Sequence, residues 1–349
     1  MVTRDEPRRV LVTGGAGYIG SHACLALLES GCSVVSVDNL SRGHAGAHDA
    51  LGLFGGDRFN GHAISIHQTE ALTDILVRDR IDAVMHFAAF AEVGESMDHP
   101  LRYVHNNVAG TMSVLQAMDR ADVRALVFSS SCATYGAPPG GLLPIREDCP
   151  QTPINPYGAS KLYGERMILE YAEARRRAGR HFACAMLRYF NVAGADPGGR
   201  LGEDHDPESH LIPICLQVAL GQRSAIGVFG ADWPTHDGTC IRDYVHVSDL
   251  VQAHLCVLDA LRPWDVRRYN VGIGRGFSVR ECIESVRRVT GVPIAATDAP
   301  RRDGDPPILV ADASLIRREL GWQPAFTDLD AIVDSAWQWF KLHPKGWAG

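Results

Sequence analysis

For its first 340 residues this chain uses arginine wherever it places a long cation, with one exception, Lys161. The exception closes Pro156-Tyr157-Gly158-Ala159-Ser160-Lys161. At a spacing of four residues on a helix, the phenol and the ammonium share one face. Lysine is a compact, donor-rich point charge, and arginine's planar fork does not replace it. Upstream, Ser129-Ser130-Ser131 offers hydroxyls. A serine hydroxyl, a phenol and an ammonium beside a nicotinamide would form a proton-and-hydride site. For Tyr157 to act as a base near neutrality its pKa must fall by about 3 units, or about 4 kcal/mol. One cation at about 4 Å supplies roughly that much at an effective dielectric of about 20. Lys161 together with a nicotinamide cation is therefore expected to lower the phenol's pKa. A solvent-facing Tyr/Lys pair would show the same spacing, so the elements around it must decide.

Those elements begin at the N-terminal side. Val10-Leu11-Val12 reads as a strand buried on both faces. Gly14-Gly15-Ala16-Gly17-Tyr18-Ile19-Gly20 then opens a helical pattern that ends near Gly31, and a second apolar strand, Val34 to Val37, finishes in Asp38. In this β–α–β unit Gly14 allows the tight turn, Gly17 lets the backbone approach a pyrophosphate and Gly20 allows close packing of helix on strand. The helix N-terminus presents N–H groups to the phosphates. Asp38 can accept from both adenosine ribose hydroxyls and would repel a 2′-phosphate, so NAD is favoured over NADP. Further strands are expected at Ala83–Phe87, Ala125–Ser129 and Ala183–Leu187. Ligands in such sheets lie beyond the carboxyl ends of the strands. There stand His86-Phe87-Ala88-Ala89 and the serine run, and Tyr157 and Lys161 open the next helix.

Composition narrows the class. A length of 349 residues, 46% hydrophobic and 21% charged, is that of a globular protein. A net charge of −7 speaks against nucleic acid or a membrane surface as partner. Nine scattered cysteines without C-x-x-C spacing read as reduced thiols, neither a disulfide framework nor a zinc site. The start, Met1 to Pro7, carries no apolar leader, so a cytoplasmic location is expected. Asp204-His205-Asp206-Pro207-Glu208-Ser209-His210 fits no standard ligand spacing and reads as a solvated loop, so no metal is expected.

The chain resembles the extended short-chain dehydrogenase/reductases, and within them the UDP-glucose 4-epimerase branch, nearly end to end. The glycine and Tyr/Lys motifs carry the superfamily. Leu187-Arg188-Tyr189-Phe190-Asn191, Arg242-Asp243-Tyr244-Val245-His246 and Arg301-Arg302-Asp303-Gly304-Asp305 carry the branch. The resemblance implies a Rossmann-type doubly wound parallel sheet with a smaller α/β substrate-binding lobe at the C-terminal end. The NAD-binding part would span 1–190, with a returning segment near 240–275, and 191–349 would be mostly the lobe. It also implies that Tyr157 is the acid/base, Lys161 its partner and ribose ligand, and Ser131 the hydroxyl on the sugar oxygen, with Ser130 as fallback. NAD would be held by Gly14, Gly17, Tyr18, Ile19, Gly20, Asp38, Asn39, Phe87, Ala88, Ala89, Asn106, Ser129, Tyr157, Lys161 and Tyr189. A UDP-sugar would meet Ser131, Tyr157, Asn191, His210, Leu211, Phe229, Arg242, Arg302, Asp305 and Leu309. A homodimer through helices near 97–118 and 157–176 is implied as well.

The reaction so implied interconverts UDP-galactose and UDP-glucose through a 4-keto sugar. Leu309 stands where relatives range from Cys to Tyr, and its intermediate size points to the unsubstituted hexoses. Pentose (UDP-xylose/UDP-arabinose) and N-acetylhexosamine substrates are the alternatives. A dehydratase would need an acidic pair where Cys132-Ala133 stands, and a non-catalytic NAD sensor would not need Tyr157 with Lys161. Ser65 and Ala91 depart from residues that relatives place near the cofactor. Beside Arg242, Asp243 and His246 read as a loop-fixing network rather than a second acid/base pair. Ser278-Val279-Arg280-Glu281 reads as a capping box for a helix running toward Gly291, and Trp337 and Trp339 read as core.

Overall fold

The computed structural model describes residues 7–302 and 304–348; the first six residues and Asp303 of the arginine-rich segment lie outside the described residues. Strands β1 (Arg9–Thr13), β2 (Ser33–Asp38), β3 (Phe59–Ala63), β4 (Ala83–His86), β5 (Ala125–Ser131) and β6 (Ala183–Tyr189) are followed by β7 (Asn191–Ala193), β8 (Ile226–Phe229), β9 (Ile241–His246) and β10 (Val266–Val271). Seven of them form one sheet in the order β10-β6-β5-β4-β1-β2-β3, and every pairing in it is parallel. The order reverses between β1 and β4, which opens a crevice at the strand ends.

The pleat explains why the inner strands are apolar throughout. Val10 and Val12 pack into one core with Leu25, Leu27 and Leu28 of the helix Tyr18–Glu29 and Leu250 and Leu258 of the helix Val247–Ala260. Leu11, between them, points to the opposite core with Leu72, Val114, Met118 and Ile168. A strand buried on both faces has no polar side to alternate with. β4 stops at His86, one residue short of the expected Phe87, whereas β5 and β6 run two residues beyond theirs, to Ser131 and Tyr189. The extra residues stay paired, Ser131 opposite Tyr189.

After β6 the chain leaves the sheet. β9 becomes the centre of a second, smaller sheet with β7, Gly276–Ser278 and Ile308–Leu309, while β8 pairs with Ala296–Ala299. The chain then returns, and β10 adds to the edge of the large sheet beside β6. The helix Val279–Thr290 opens with the expected box: the Glu281 N–H donates to Ser278 Oγ at 3.1 Å, and the Ser278 N–H donates to Glu281 Oε2 at 2.7 Å. Gly291 ends it at φ 70. Trp339 is fully buried in the core of this part and Trp337 packs partly against it. All nine cysteines are free thiols. No helix of the described residues is long and apolar enough to cross a membrane.

Candidate active site

The glycine turn is built as a cradle. Gly14 sits at φ +73, and a Cβ there would come within 2.7 Å of the Ala88 amide nitrogen, so the turn must lie flat on the end of β4. A Cβ at Gly20 would fall 2.0 Å from the Gly14 carbonyl oxygen, which is why helix and turn can close. At Gly17 a Cβ would meet only that same oxygen, at 3.4 Å; the position faces the cavity and lets a ligand approach the backbone. No side chain caps the helix at Gly17, leaving its first-turn amides available to an anion. Asp38, at the end of β2, accepts the Ala16 N–H at 3.1 Å and the Leu40 N–H at 2.8 Å, which fixes its carboxylate at the cavity rim.

Opposite the cradle, the helix Pro156–Arg177 starts with Asn155, whose Oδ1 accepts the Gly158 N–H at 2.8 Å. Asn155-Pro156 is a helix-start signal legible in the sequence. The cap sets the first turn, so Tyr157 and Lys161 both face the cavity and both are almost fully buried. Lys161 Nζ donates to the Ser129 carbonyl at 2.8 Å and lies 5.3 Å from the centre of the Phe128 ring. Burial lowers the Lys161 ammonium to about 7, against the pull of the Glu165 charge. The structure adds an effect that spacing alone does not show. Burial, not Lys161, dominates the phenol of Tyr157 and pushes its pKa up; the neighbouring Tyr189 adds to this, and a hydrogen bond with Ser131 opposes it.

The serine run is sorted by the strand. Ser131 lines the cavity, and its Oγ accepts the Ala133 N–H at 3.1 Å. Ser130 faces the other way and donates to Glu165 Oε1 at 2.5 Å. Ser129, assigned to the cofactor, is not on the wall; it stands behind it, bonded to Tyr189 Oη at 2.6 Å and supporting Lys161. Period-two alternation separates Ser130 from Ser131, since consecutive residues of β5 cannot both look into the site, whereas Ser129 shares the face of Ser131 and is covered by Tyr189. Behind Ser130 lies a polar lock that sequence reasoning missed. Arg188 forks onto Glu165 with bonds of 2.9 and 2.7 Å and also donates to Tyr135 Oη and the Glu147 carbonyl. Gln151 completes the Glu165 carboxylate at 3.0 Å.

Every other expected site residue lines the same cavity of about 820 Å³. That holds for Tyr18, Ile19, Asn39, Phe87, Ala88, Ala89, Asn106 and Tyr189 on the cradle side. It holds equally for Asn191, His210, Leu211, Phe229, Arg242, Arg302, Asp305 and Leu309 on the far side. Asn106 is carried by a π-helical turn, Val104–Ala109, a distortion common at functional sites. Its neighbour Asn107 ties that turn down, donating to Ser160 Oγ at 2.9 Å and to the Phe90 carbonyl at 3.0 Å. Arg242 is held by the Ile241 carbonyl and lies 3.6 Å from Asp305. Arg302 stacks over Phe229 at 3.8 Å. Asp243 and His246 are outside the cavity. Asp243 accepts the N–H groups of Ile273, Gly274 and Ala311, and His246 bonds Ser335 and caps its helix through the Ser248 N–H, as the network reading requires.

The segment Asp204–His210 is not the solvated loop expected. Glu203 and Glu208 are buried, and with His205 and His210 they form a compact cluster on the cavity wall. Arg42 and His44 hold the backbone carbonyls of Asp206 and Asp204 from the other side of the cleft.

A flat glycine turn, open at Gly17, beneath uncapped helix amides and beside a fixed acid fits a dinucleotide diphosphate and its ribose. Comparison with known proteins agrees. The chain is 50% identical over 340 residues to a UDP-glucose 4-epimerase of Halalkalibacterium halodurans, covering 97% of each. It is 44% identical over 353 residues to UDP-arabinose 4-epimerase 1 of Arabidopsis thaliana, covering 99% of this chain and 83% of that one. Its fold superposes with a TM-score of 0.92 on the crystal structure of UDP-glucose 4-epimerase from Bifidobacterium longum in complex with NAD+ and UDP, at 37% identity, covering 97% of this chain and 99% of that one. With residues 10–272 matching the family model directly, the chain belongs to the NAD dependent epimerase/dehydratase family.

Proposed function

We infer that this protein is an NAD-dependent isomerase that interconverts UDP-galactose and UDP-glucose through a 4-keto sugar. The observation that carries the reading is a single cavity. It joins the glycine cradle, the Ser131–Tyr157–Lys161 group and, on its far side, the cations Arg242 and Arg302. Tyr157 takes the proton from the 4-hydroxyl and returns it, with Ser131 bonded to the same oxygen. NAD, when bound, supplies the hydride acceptor and then the donor at carbon 4. The Gly14–Gly20 turn and Asp38 hold the dinucleotide, Lys161 holds its nicotinamide ribose, and Arg242 and Arg302 meet the UDP diphosphate. Burial raises the phenol's pKa, so a positive charge next to Tyr157 is needed before the phenol can act as a base. That need couples proton removal to the oxidised form of the cofactor.

In this reading the cofactor part comprises 1–190 with the returning segment near 240–275, and the remainder from 191 is mostly substrate lobe. The enzyme works in the cytoplasm as a homodimer. Leu101, Met112 and Tyr163, exposed large side chains on the helices near 97–118 and 157–176, support that interface. Purified protein incubated with UDP-galactose and no added NAD should convert it to an equilibrium mixture with UDP-glucose, read by chromatography. No conversion with NAD supplied would overturn the assignment. A pentose reading is favoured by one observation, the similarity to the plant UDP-arabinose enzyme over nearly the whole chain; the same assay with UDP-arabinose separates the two.

A further inference from the structure

We propose that Glu203, His205, Glu208 and His210 form a divalent-cation site of the zinc class in the cavity wall. One ligand atom from each residue lies within 4.8 Å of all the others. The inner edges of that group are short. His205 Nδ1 is 3.3 Å from Glu203 Oε1 and 3.6 Å from Glu208 Oε2. His210 Nδ1 is 3.2 Å from Glu203 Oε1 and 2.9 Å from Glu208 Oε1. A tetrahedral ion with bonds of about 2.0–2.1 Å spaces its ligand atoms about 3.4 Å apart. With Glu203 Oε1 and Glu208 Oε2 as the carboxylate donors, the edges of 3.3, 3.2 and 3.6 Å already match the spacing such an ion requires.

Three further observations point to an ion rather than a fortuitous contact. First, His205 Nδ1 is shielded from solvent and makes no hydrogen bond, although two carboxylates face it. Second, among the described residues the only ion-pair partners of Glu203 and Glu208 are these two histidines. Two buried carboxylates require a compensating charge, and a dication supplies it with both imidazoles neutral. Third, the group is braced. Glu208 Oε1 accepts the N–H groups of Ser209 and His210 at 2.8 and 2.7 Å, which orients the carboxylate and leaves Oε2 toward His205. Two imidazoles with two carboxylates suit zinc in preference to magnesium or calcium, which select oxygen ligands. With four protein ligands the site is closed. It would tie Glu203–His210 down between Tyr18 on the cofactor side and Leu211 on the substrate side.

The test uses the purified holoenzyme, dialysed against a chelator and then titrated separately with zinc(II) and magnesium(II). Bound metal is counted by mass spectrometry, and cobalt(II) serves as the spectroscopic probe. The proposal expects one zinc per chain, no stoichiometric magnesium, and the intense visible bands of tetrahedral cobalt. It expects a thermal midpoint that rises with zinc concentration. H205A/H210A should lose at least nine-tenths of the bound zinc and the cobalt bands while keeping its NAD. If that variant does not fold, Glu208→Gln, which keeps the size and the amide contacts, reads the same loss. Absence of stoichiometric zinc in the wild type would overturn the site and identify the cluster as a ring of imidazoliums and carboxylates. Equal zinc in wild type and variants would overturn it too, since the metal would then lie elsewhere. Because metal content is counted directly, the result is independent of whether the epimerase reading holds.

Discussion

Remove the Glu165 carboxylate and the Arg188 guanidinium is left charged in a place where water cannot reach it. The two side chains are 1% and 3% exposed, and both carboxylate oxygens are engaged by Arg188. Breaking a buried pair from one side costs about 3–5 kcal/mol, because the surviving charge is uncompensated. Glu165→Ala should therefore lower stability by about 4 kcal/mol, and at about 2 °C per kcal/mol for a chain of this length the midpoint should fall by about 8 °C. Replacing both members, as in Glu165→Leu with Arg188→Met, removes the charges together. That double variant should recover most of the loss, ending within about 1–2 kcal/mol of wild type, the residue being the bonds to Ser130, Gln151 and Tyr135. Equilibrium unfolding in denaturant, run as a double-mutant cycle, measures the coupling. The lock holds Ser130, the neighbour of Ser131 on β5, and sits on the helix of Tyr157 and Lys161, so turnover should fall in both variants while bound NAD stays. A single variant that loses less than about 1 kcal/mol, or a double variant that loses the sum of the singles, would refute the reasoning.

Other outcomes follow from the same geometry. Tyr157→Phe should lose nearly all turnover and keep its NAD; substantial residual activity would remove the phenol from the chemistry. Gly20→Ala should purify with little NAD and a lower midpoint, because its methyl would meet the Gly14 carbonyl at 2.0 Å; full NAD occupancy in that variant would contradict the cradle. The buried Lys161 ammonium is lowered from 10.5 to about 7. Between those values the unfolded chain binds a proton that the folded chain releases, so stability should rise with pH through that window. The rise should be absent in Lys161→Met, and parallel stability curves for the two proteins would refute it. Leu309 is buried at the cavity wall, so Leu309→Tyr should depress any activity on N-acetylated substrates more than on UDP-galactose, measured as kcat/KM for each.

How much of this could be read in advance depended on whether a signal was local. The glycine turn, Asp38 and the Tyr157/Lys161 pair announce themselves because backbone freedom, strand ends and helical spacing act over a few residues. The inner strands do so because burial on both faces leaves them apolar. β3 gave no such signal: Phe-Asn-Gly-His-Ala is a half-exposed edge strand, joined to the sheet by backbone bonds to β2 alone. The burial of the Tyr157 phenol was not legible for a related reason. A spacing of four residues brings a cation near but says nothing of how far water is excluded, and exclusion was the larger effect.

The sequence by itself determined the cofactor class, the parallel sheet and the placing of Tyr157 and Lys161 on one helix face, since each rests on residues whose geometry is set by their own neighbours in the chain. Only the tertiary structure decided which serine faces the cavity, that Glu165 and Arg188 lock its back wall, and that Glu203, His205, Glu208 and His210 converge. Those arrangements depend on where β5, the helix Pro156–Arg177 and the segment after β7 come to rest against one another. Charges and donors become costly or useful only when that packing removes water from around them.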